Sequence, residues 1–189
     1  LSLPQISTLY PSSIIDPLAV PQLDGLGALL KRSDVEVVFH DADYDLRLLR
    51  QDYGWDVVRI FDTRVAAQLL GIRTFGLAAL LERYFGVKLE KKYQRADWSL
   101  RPLTPGMLEY AAQDTMHLLE LRDRMKADLE RAGRLTWAEE EFAIVQSVRW
   151  SPDEEGLAFL RIKGARDLTR RELAVFRELA RWRDGVASE

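Results

Sequence analysis

The chain has 189 residues, of which 47% are apolar and 30% are charged, so it can form one ordinary hydrophobic core with a small appendage and is not a wholly disordered polymer. It contains no cysteine and only two histidines, His40 and His117, which excludes disulfide scaffolds, cysteine-ligated zinc and thiol catalysis and argues against a multi-histidine metal site. The net charge of −3 is unusual for a protein that coats nucleic acid, but it is compatible with a nuclease, because metal-binding carboxylates are themselves negative.

Strands and helices are predicted to alternate in the first half of the chain. Alternating or continuous apolar runs predict strands at residues 1–7, 14–15, 35–39 and 57–61. Apolar residues at helical spacing predict helices at 22–32, 43–53, 63–70 and 76–85, the third of them capped by Asp62. The nearly unbroken apolar run at 35–39 further predicts a strand that is buried on both faces. Pro4 and Pro11 interrupt the uncharged opening segment, which is therefore neither a transmembrane span nor a signal peptide.

The second half of the chain is predicted to be helical. Residues 86–103 lack periodicity and predict a loop, and Thr104-Pro105 is a strong start for a helix that continues to about residue 132. Further helices are expected at 136–149 and 169–185, separated by a linker at 151–156. Strands alternating with helices and then helices alone indicate an α/β domain with a helical tail.

Three aspartates follow the predicted strand at 35–39. Asp41, Asp43 and Asp45 lie where that strand ends and a helix begins, and ligands of open α/β sheets gather at the carboxyl ends of strands. Aspartates in a first helical turn also cap free N–H groups, so both interpretations stay open. A calcium loop is excluded, because no glycine or distal glutamate follows at the required spacing.

Tyr110 and Asp114 form a second pair of interest. Residues four apart share one face of a helix, so the tyrosine hydroxyl and the carboxylate could converge on one point. The alternative is an ordinary core tyrosine beside a surface aspartate.

The motifs taken together resemble a known group of nucleases. They are the segments Phe39–Leu46, Phe61–Thr63, Tyr93–Leu103 and Tyr110–Thr115. In this order and at these spacings they are similar to the ribonuclease D group of DEDDy 3′–5′ exonucleases, over residues 1 to about 150. Glu109 stands where the sister branch has a histidine, which favours the tyrosine branch. The resemblance implies a ribonuclease H-like α/β fold, a mixed sheet flanked by helices.

The tail resembles the opening of an HRDC domain, a helical nucleic-acid-binding module. The segments Phe159–Gly164 and Leu168–Arg183 carry this resemblance. It implies that residues 151–189 are a linker and the first half of that all-α domain. Residues 161–183 carry eight basic residues against three acidic ones. Either a solvated helix face or a binding surface explains such a charge run.

The resemblance assigns roles at the site. Asp45 and Asp114 would bind two Mg²⁺ or Mn²⁺ ions, and Tyr110 would orient the attacking water. His40 and His117 are each either structural or surface residues or contacts just outside the metal site. Residues 88–101 carry five basic residues against two acidic ones, which indicates contacts with single-stranded RNA or a solvated loop. The residues expected to bind nucleic acid are Lys91, Lys92, Arg95, Trp98 and Arg101, with packing beneath the loop as the alternative for Trp98.

One motif of the family has no match. The Asp-x-Glu expected on the opening strand is missing, so two of four metal-binding carboxylates are absent and the fold is expected to lack its first strand. Either the chain is truncated at both ends or it is a degenerate relative, and the chain as given is expected to be inactive. The function implied for the family member is 3′–5′ exoribonuclease, acting on tRNA precursors in the cytoplasm. The alternatives are a DNA-directed exonuclease and a non-catalytic RNA-binding relative.

Overall fold

The computed structural model describes residues 5–7, 12–16, 19–20, 22–89, 92–93, 96–148 and 158–187, except for the side chains of Gln5, Ser12, Asp114 and Ala158. The chain divides into two compact units, Leu1–Arg149 and Trp150–Glu189. The linker predicted at residues 151–156 lies outside the described residues.

Two small sheets form in the first unit. Strands β1 (Gln5–Ser7) and β2 (Ser12–Ile14) pair antiparallel, and strands β3 (Val37–Phe39) and β4 (Ile60–Asp62) pair parallel, with Phe39 opposite Asp62. Parallel strands need a crossover, and here helix α2 provides it. The helices of this unit are α1 (Asp24–Leu30), α2 (Ala42–Tyr53), α3 (Thr63–Leu69), α4 (Leu77–Phe85), α5 (Pro105–Met116), α6 (Leu118–Arg131) and α7 (Leu135–Gln146). The α/β class predicted from the sequence is confirmed.

The local sequence explains where the helices begin and end. The Thr104 hydroxyl accepts from the Met107 N–H at 3.3 Å, and Pro105 occupies the first helical position of α5. Helices α2 and α4 end at Gly54 and Gly86, whose φ angles of 65° and 69° are readily adopted only by glycine.

The continuous helix predicted from residue 105 to about residue 132 is wrong. His117, with φ −100° and ψ −1°, lies in a turn that separates α5 from α6. Helix α5 packs on β1 and β2, whereas α6 packs on α3 and β3, so a straight helix could not serve both surfaces. The His117 ring stacks on Phe85 with centroids 5.5 Å apart, which holds the break in place.

The core lies between α3, α4, α6 and α7. Its largest fully buried side chains include Leu80, Leu81, Leu121, Met125 and Leu129. Phe61 of β4 packs against Phe142 of α7 with centroids 4.8 Å apart, which joins the sheet to the helices. All three residues of β4 are buried, but Val37–Phe39 of β3 are half-buried, so the predicted burial of that strand on both faces is wrong. Within the described residues β3 has a strand partner only in β4, which leaves its other side less covered.

The second unit consists of two 3₁₀ turns, Ala158–Arg161 and Ala165–Asp167, followed by helix α8 (Arg170–Ala187). Helix α8 confirms the last predicted helix. Thr169 and Glu172 form a capping box, in which the Glu172 carboxylate accepts from the Thr169 N–H at 2.8 Å. Phe159 packs edge-on against Phe176, with centroids 6.4 Å apart. Among the described helices of both units, none combines the length and apolarity that a bilayer crossing requires.

Candidate active site

The carboxyl ends of β3 and β4 meet at one edge of the parallel sheet. His40 and Asp41 follow β3, Asp62 ends β4, and Asp45 lies in the first turn of α2. At the amino end of β3, the sequence Asp34-Val35-Glu36 has the Asp-x-Glu pattern. Asp34 pairs with Arg32, and Glu36 pairs with Arg59 at 3.3 Å and with Arg122. These carboxylates are therefore neutralised at the opposite edge and do not replace the missing motif.

Asp62, at the end of β4, accepts hydrogen bonds from the first residues of two helices, α2 and α3. Its side chain is buried, and one carboxylate oxygen, Oδ1, accepts from the N–H groups of Arg64 at 2.8 Å and Val65 at 3.3 Å, at the start of α3. The same oxygen accepts from the Asp41 N–H at 3.1 Å, and Oδ2 accepts from the Ala42 N–H at 2.7 Å, at the start of α2. The interpretation of Asp62 as a helix cap is confirmed. Its second role, at the start of α2, was not predicted from the sequence.

His40 is held by its neighbour across the sheet. The Thr63 hydroxyl donates to the Phe39 carbonyl oxygen at 3.0 Å, and its oxygen lies 2.9 Å from His40 Nδ1. Because that hydroxyl has only one proton, His40 Nδ1–H is the donor of the second bond. Burial lowers the pKa of His40, opposed in part by the charges of Asp62 and Asp41, so a neutral imidazole is favoured.

Asp41 is the one non-glycine residue with positive φ among the described residues, at 69°. Aspartate tolerates this left-handed conformation better than most residues, and here it turns the chain from β3 into α2. Its carboxylate pairs with Arg64, whose guanidinium carbon lies 5.2 Å from the centroid of the Phe75 ring. Arg64 is a charged group at the edge of the site that sequence analysis missed. A basic residue directly after the Asp62-Thr63 motif was the available signal.

Asp45 differs from the other carboxylates. It is exposed at the rim of the site, and none of the described residues gives its carboxylate a hydrogen bond or an ion pair. Partial burial of its surroundings, followed by the charges of Asp41 and Asp62, raises the pKa of Asp45 above its usual value. A divalent cation would relieve this unfavourable charge, so Asp45 fits a metal ligand with hard oxygen donors. Asp43, in contrast, pairs with Arg47 along the outer face of α2 at 2.8 Å.

The described side chains do not form a complete metal centre. No group of three or more potential ligands converges among them. Asp114 belongs to α5, but its side chain lies outside the described part of the structure, and so do Lys91 and Arg95 in full. The Thr115 hydroxyl, from the residue after Asp114, lies 2.6 Å from the Ser7 hydroxyl of β1. This contact joins α5 to the antiparallel sheet.

Tyr110 lies in an aromatic cluster formed with the preceding loop. The rings of Tyr93 and Trp98 lie 6.0 and 6.1 Å from the Tyr110 ring, centroid to centroid. The Lys92 ammonium lies 5.3 Å from the centroid of the Tyr93 ring. Trp98 is half-buried and packs on Tyr110, which agrees with the packing alternative for this residue. The loop is thereby fixed against the helix that also contains Asp114.

Arg101 closes the loop. Its guanidinium donates to both carboxylate oxygens of Asp16, at 2.6 and 3.0 Å, and to the carbonyl oxygens of Trp98 and Leu100. Such a bidentate pair fixes the geometry of both side chains. An RNA contact by Arg101 stays a prediction, and it would have to use or replace this pair.

Comparison with known proteins identifies the family. A family model described as 3′–5′ exonuclease matches residues 1–130, and the chain belongs to this family. Ribonuclease D of Shewanella sp. is 33% identical over 172 residues, which cover 90% of this chain and 44% of that protein. Exosome complex component 10 of Rattus norvegicus is 36% identical over 192 residues, which cover 97% of this chain and 22% of that protein. The chain thus spans less than half the length of these curated relatives.

Solved structures agree with the sequence comparisons. Escherichia coli RNase D, described as an exoribonuclease involved in structured RNA processing, is 30% identical with a TM-score of 0.79, covering 97% of this chain and 49% of that chain. The catalytic core of RRP6 from Trypanosoma brucei is 33% identical with a TM-score of 0.84, covering 97% of this chain and 52% of that one. Brucella melitensis NrnC with bound Mg²⁺ is 29% identical with a TM-score of 0.60, covering 65% and 60%. These neighbours support the ribonuclease H-like fold expected from the motifs.

Proposed function

We propose that this chain supplies part of the active site of a 3′–5′ exoribonuclease that trims RNA 3′ ends to nucleoside monophosphates. The observation that carries the proposal is the exposed carboxylate of Asp45 at the carboxyl edge of the parallel sheet, for which the described residues supply no hydrogen bond or ion pair. The family match and the likeness to E. coli RNase D support the same activity. For a bacterial source, cytoplasmic tRNA precursors are the substrates that we propose.

Asp45 and Asp114 would hold the divalent cations, which we propose to be two Mg²⁺ or Mn²⁺ ions. Bound ions of this kind lower the pKa of water and stabilise the oxygens of an in-line displacement. Burial and then the charges of Asp41 and Asp62 raise the pKa of Asp45, and a bound cation would favour the ionised carboxylate. The likeness to Brucella melitensis NrnC with bound Mg²⁺ supports this choice of ion.

Tyr110 would hold the attacking water and accept or return its proton. The two aromatic neighbours restrict its ring, so the hydroxyl keeps one direction relative to the helix. The ordered ring therefore needs no reorganisation when the RNA binds. His40 would act just outside the metal site, because its hydrogen bond to Thr63 fixes the end of β3 next to Asp41. His117, stacked on Phe85, is the weaker of the two histidine proposals.

The loop at residues 91–101 would bind the RNA strand. Lys91, Lys92 and Arg95 would contact phosphates, and Trp98 would offer an aromatic face to a base. The packing of Trp98 against Tyr110 brings this surface next to the residue that we assign to the water. We further propose that the second unit, which resembles the start of an HRDC domain, adds nucleic-acid contacts through its basic residues.

Single-turnover trimming of a 5′-labelled single-stranded RNA by the full product of the gene tests the proposal. We expect Asp45→Asn and Asp114→Asn to abolish turnover and Tyr110→Phe to lower the rate by roughly 10²–10⁴, the usual contribution of an acid–base group. Asp43→Asn is the matched control, because it removes only the outer pair with Arg47 in the same helical turn. Near wild-type rates for the three site variants would contradict the assignment. A deoxyribose substrate that is trimmed faster would favour the DNA-directed alternative.

The 189 residues alone are expected not to turn over RNA. Among the assigned carboxylates only Asp45 and Asp114 are present, and hard cations that dehydrate reluctantly need several carboxylates or phosphates. The contrary result would be stepwise shortening of RNA from its 3′ end by the 189-residue chain, with this activity lost in Asp114→Asn. That result would show that other carboxylates complete the metal site.

A further inference from the structure

Helix α2, which contains Asp45, has no N-cap hydrogen bond from the side chain of its own N-cap residue. The residue at its N-cap position is Asp41, whose φ is 69° and whose side chain accepts no hydrogen bond from the first turn. Its carboxylate instead pairs with Arg64. The first turn of a helix leaves N–H groups without intrahelical acceptors, so another group must accept from them.

Asp62 supplies the missing acceptor from 20 residues further along the chain. Its Oδ2 accepts from the Ala42 N–H at 2.7 Å, while Oδ1 accepts from the N–H groups of Asp41 and of Arg64 in α3. An ordinary N-cap needs a single side-chain acceptor, so a serine or threonine at position 62 would be enough to cap α3. The second oxygen of Asp62 therefore has a separate task, which is to fix the start of α2 against the end of β4.

Asp45 lies three residues after Ala42, so the fixed point and the carboxylate are less than one helical turn apart. At 1.5 Å per residue the axial separation is about 4.5 Å. A shift of the α2 start would move the Asp45 carboxylate by a comparable amount, because nothing else among the described residues holds that side chain. Asp62 is also 2% exposed and joined to four N–H groups, so its carboxylate is not available to bind a metal itself.

We propose that Asp62 is a positioning residue that fixes the first turn of α2 and thereby places the Asp45 carboxylate for metal binding. This inference rests on the proposed function, in which Asp45 is a metal ligand. Asp62 is not itself a ligand, and its replacement acts through the position of α2.

The variant Asp62→Ser separates the two caps. Serine is as good an N-cap as aspartate, so it retains the acceptor for α3, but its single short hydroxyl cannot also reach the Ala42 N–H. Asp62→Asn keeps the side-chain volume with only one acceptor oxygen, so it carries the same test if the serine variant fails to fold. The matched control is Asp128→Asn in α6, which weakens another tertiary carboxylate contact, the one that accepts from the Tyr84 hydroxyl at 2.7 Å.

The measurements are amide hydrogen exchange and Mn²⁺-induced line broadening in NMR spectra of the chain. Broadening detects weak, fast-exchanging binding and does not need a complete ligand set. In Asp62→Ser we expect Ala42 exchange to rise roughly tenfold or more, as for one lost charge-assisted hydrogen bond, with Arg64 and Val65 protected as before. The Mn²⁺ concentration that half-broadens the Asp45 amide should rise by about tenfold, whereas Asp128→Asn should leave it unchanged.

The possible outcomes distinguish the inference from the proposed function. Unchanged Mn²⁺ broadening at Asp45 in Asp62→Ser, with faster Ala42 exchange, would overturn the positioning role alone. Unchanged Ala42 exchange would overturn the cap on which it depends. If Mn²⁺ broadens no signal near Asp45 in the wild-type chain, the proposed metal site is wrong and the inference is wrong with it.

Discussion

Gly106, the second residue of α5, allows Tyr93 to reach the helix that contains Tyr110. A Cβ atom at position 106 would lie 2.5 Å from the Tyr93 hydroxyl oxygen, 3.1 Å from its Cζ and 3.3 Å from its Cε2. Because ordinary contacts begin near 3.4 Å, Gly106→Ala would move the hydroxyl by about 0.9 Å. The Cζ and Cε2 distances show that the ring has to move with it.

Two effects on stability oppose each other in this variant. Alanine is favoured over glycine inside a helix by about 0.8–1 kcal/mol. Disturbing the edge contact between Tyr93 and Tyr110 costs about 0.5–1.5 kcal/mol. The net change in the free energy of unfolding should therefore stay within about 1 kcal/mol, or roughly 2–4 °C in Tm for a chain of this size.

The effect on activity should be larger than the effect on stability. The displaced Tyr93 ring would push on the Tyr110 ring packed against it, and a misplacement near 1 Å at a catalytic group can lower the rate about 10²-fold. In the full product of the gene we therefore expect a roughly 10- to 100-fold loss of single-turnover trimming at nearly unchanged Tm. Gly25→Ala is the matched control. Gly25 is also the second residue of its helix, and a Cβ there would meet nothing within 4 Å. An unchanged rate for Gly106→Ala, or an equal loss for Gly25→Ala, would refute a role of the Tyr93 contact in holding Tyr110.

Three further predictions concern the core, the site charge and the RNA-binding loop. Gly27→Ala should lower the free energy of unfolding by about 1–3 kcal/mol in urea titrations, because its Cβ would lie 2.7 Å from two indole carbons of Trp55, and a more stable variant would contradict this packing. Asp45→Asn should stabilise the fold at pH 7, since a carboxyl whose pKa is raised in the folded state destabilises that state above its pKa. The gain should vanish below about pH 4, where the carboxyl is protonated in both states, and a gain that persists there would refute the charge explanation. Neutralising the loop cations Lys91, Lys92 and Arg95 should reduce the slope of log K for RNA binding against log salt concentration by up to about 2, at ~0.7 per phosphate contact. An unchanged slope would mean that these side chains are only solvated.

The elements that the sequence predicted well are those with local signals. Capping side chains and a terminal glycine set both ends of α3 and α4 and the start of α5 within about one residue, because these signals act over a single turn. The break at His117 has no such signal, since neither proline nor glycine stands there. It results from the different packing partners of α5 and α6, and periodicity within one segment does not contain that information.

The same distinction applies to the site. Motif spacing identified Asp45 and Tyr110 as candidates, and whether Asp45 binds metal stays a prediction. The contacts that hold these residues join distant parts of the chain. Asp62 reaches back 20 residues to Ala42, and Arg101 reaches back 85 residues to Asp16. Such pairs depend on the tertiary fold, so a pattern along one sequence cannot reveal them.

The three carboxylates near the carboxyl edge of the parallel sheet are treated differently by the fold. Asp62 is satisfied by four backbone N–H groups, and Asp41 is paired with Arg64. Among the described residues Asp45 has neither kind of partner, and burial followed by the charges of Asp41 and Asp62 raises its pKa. A hydrogen-bonding or ionic partner for Asp45, or a neutral residue in its place, would lower the free energy of the folded state. Folding stability alone therefore does not explain a carboxylate at this position. An exposed carboxylate beside two others is instead an arrangement that a bound divalent cation would stabilise.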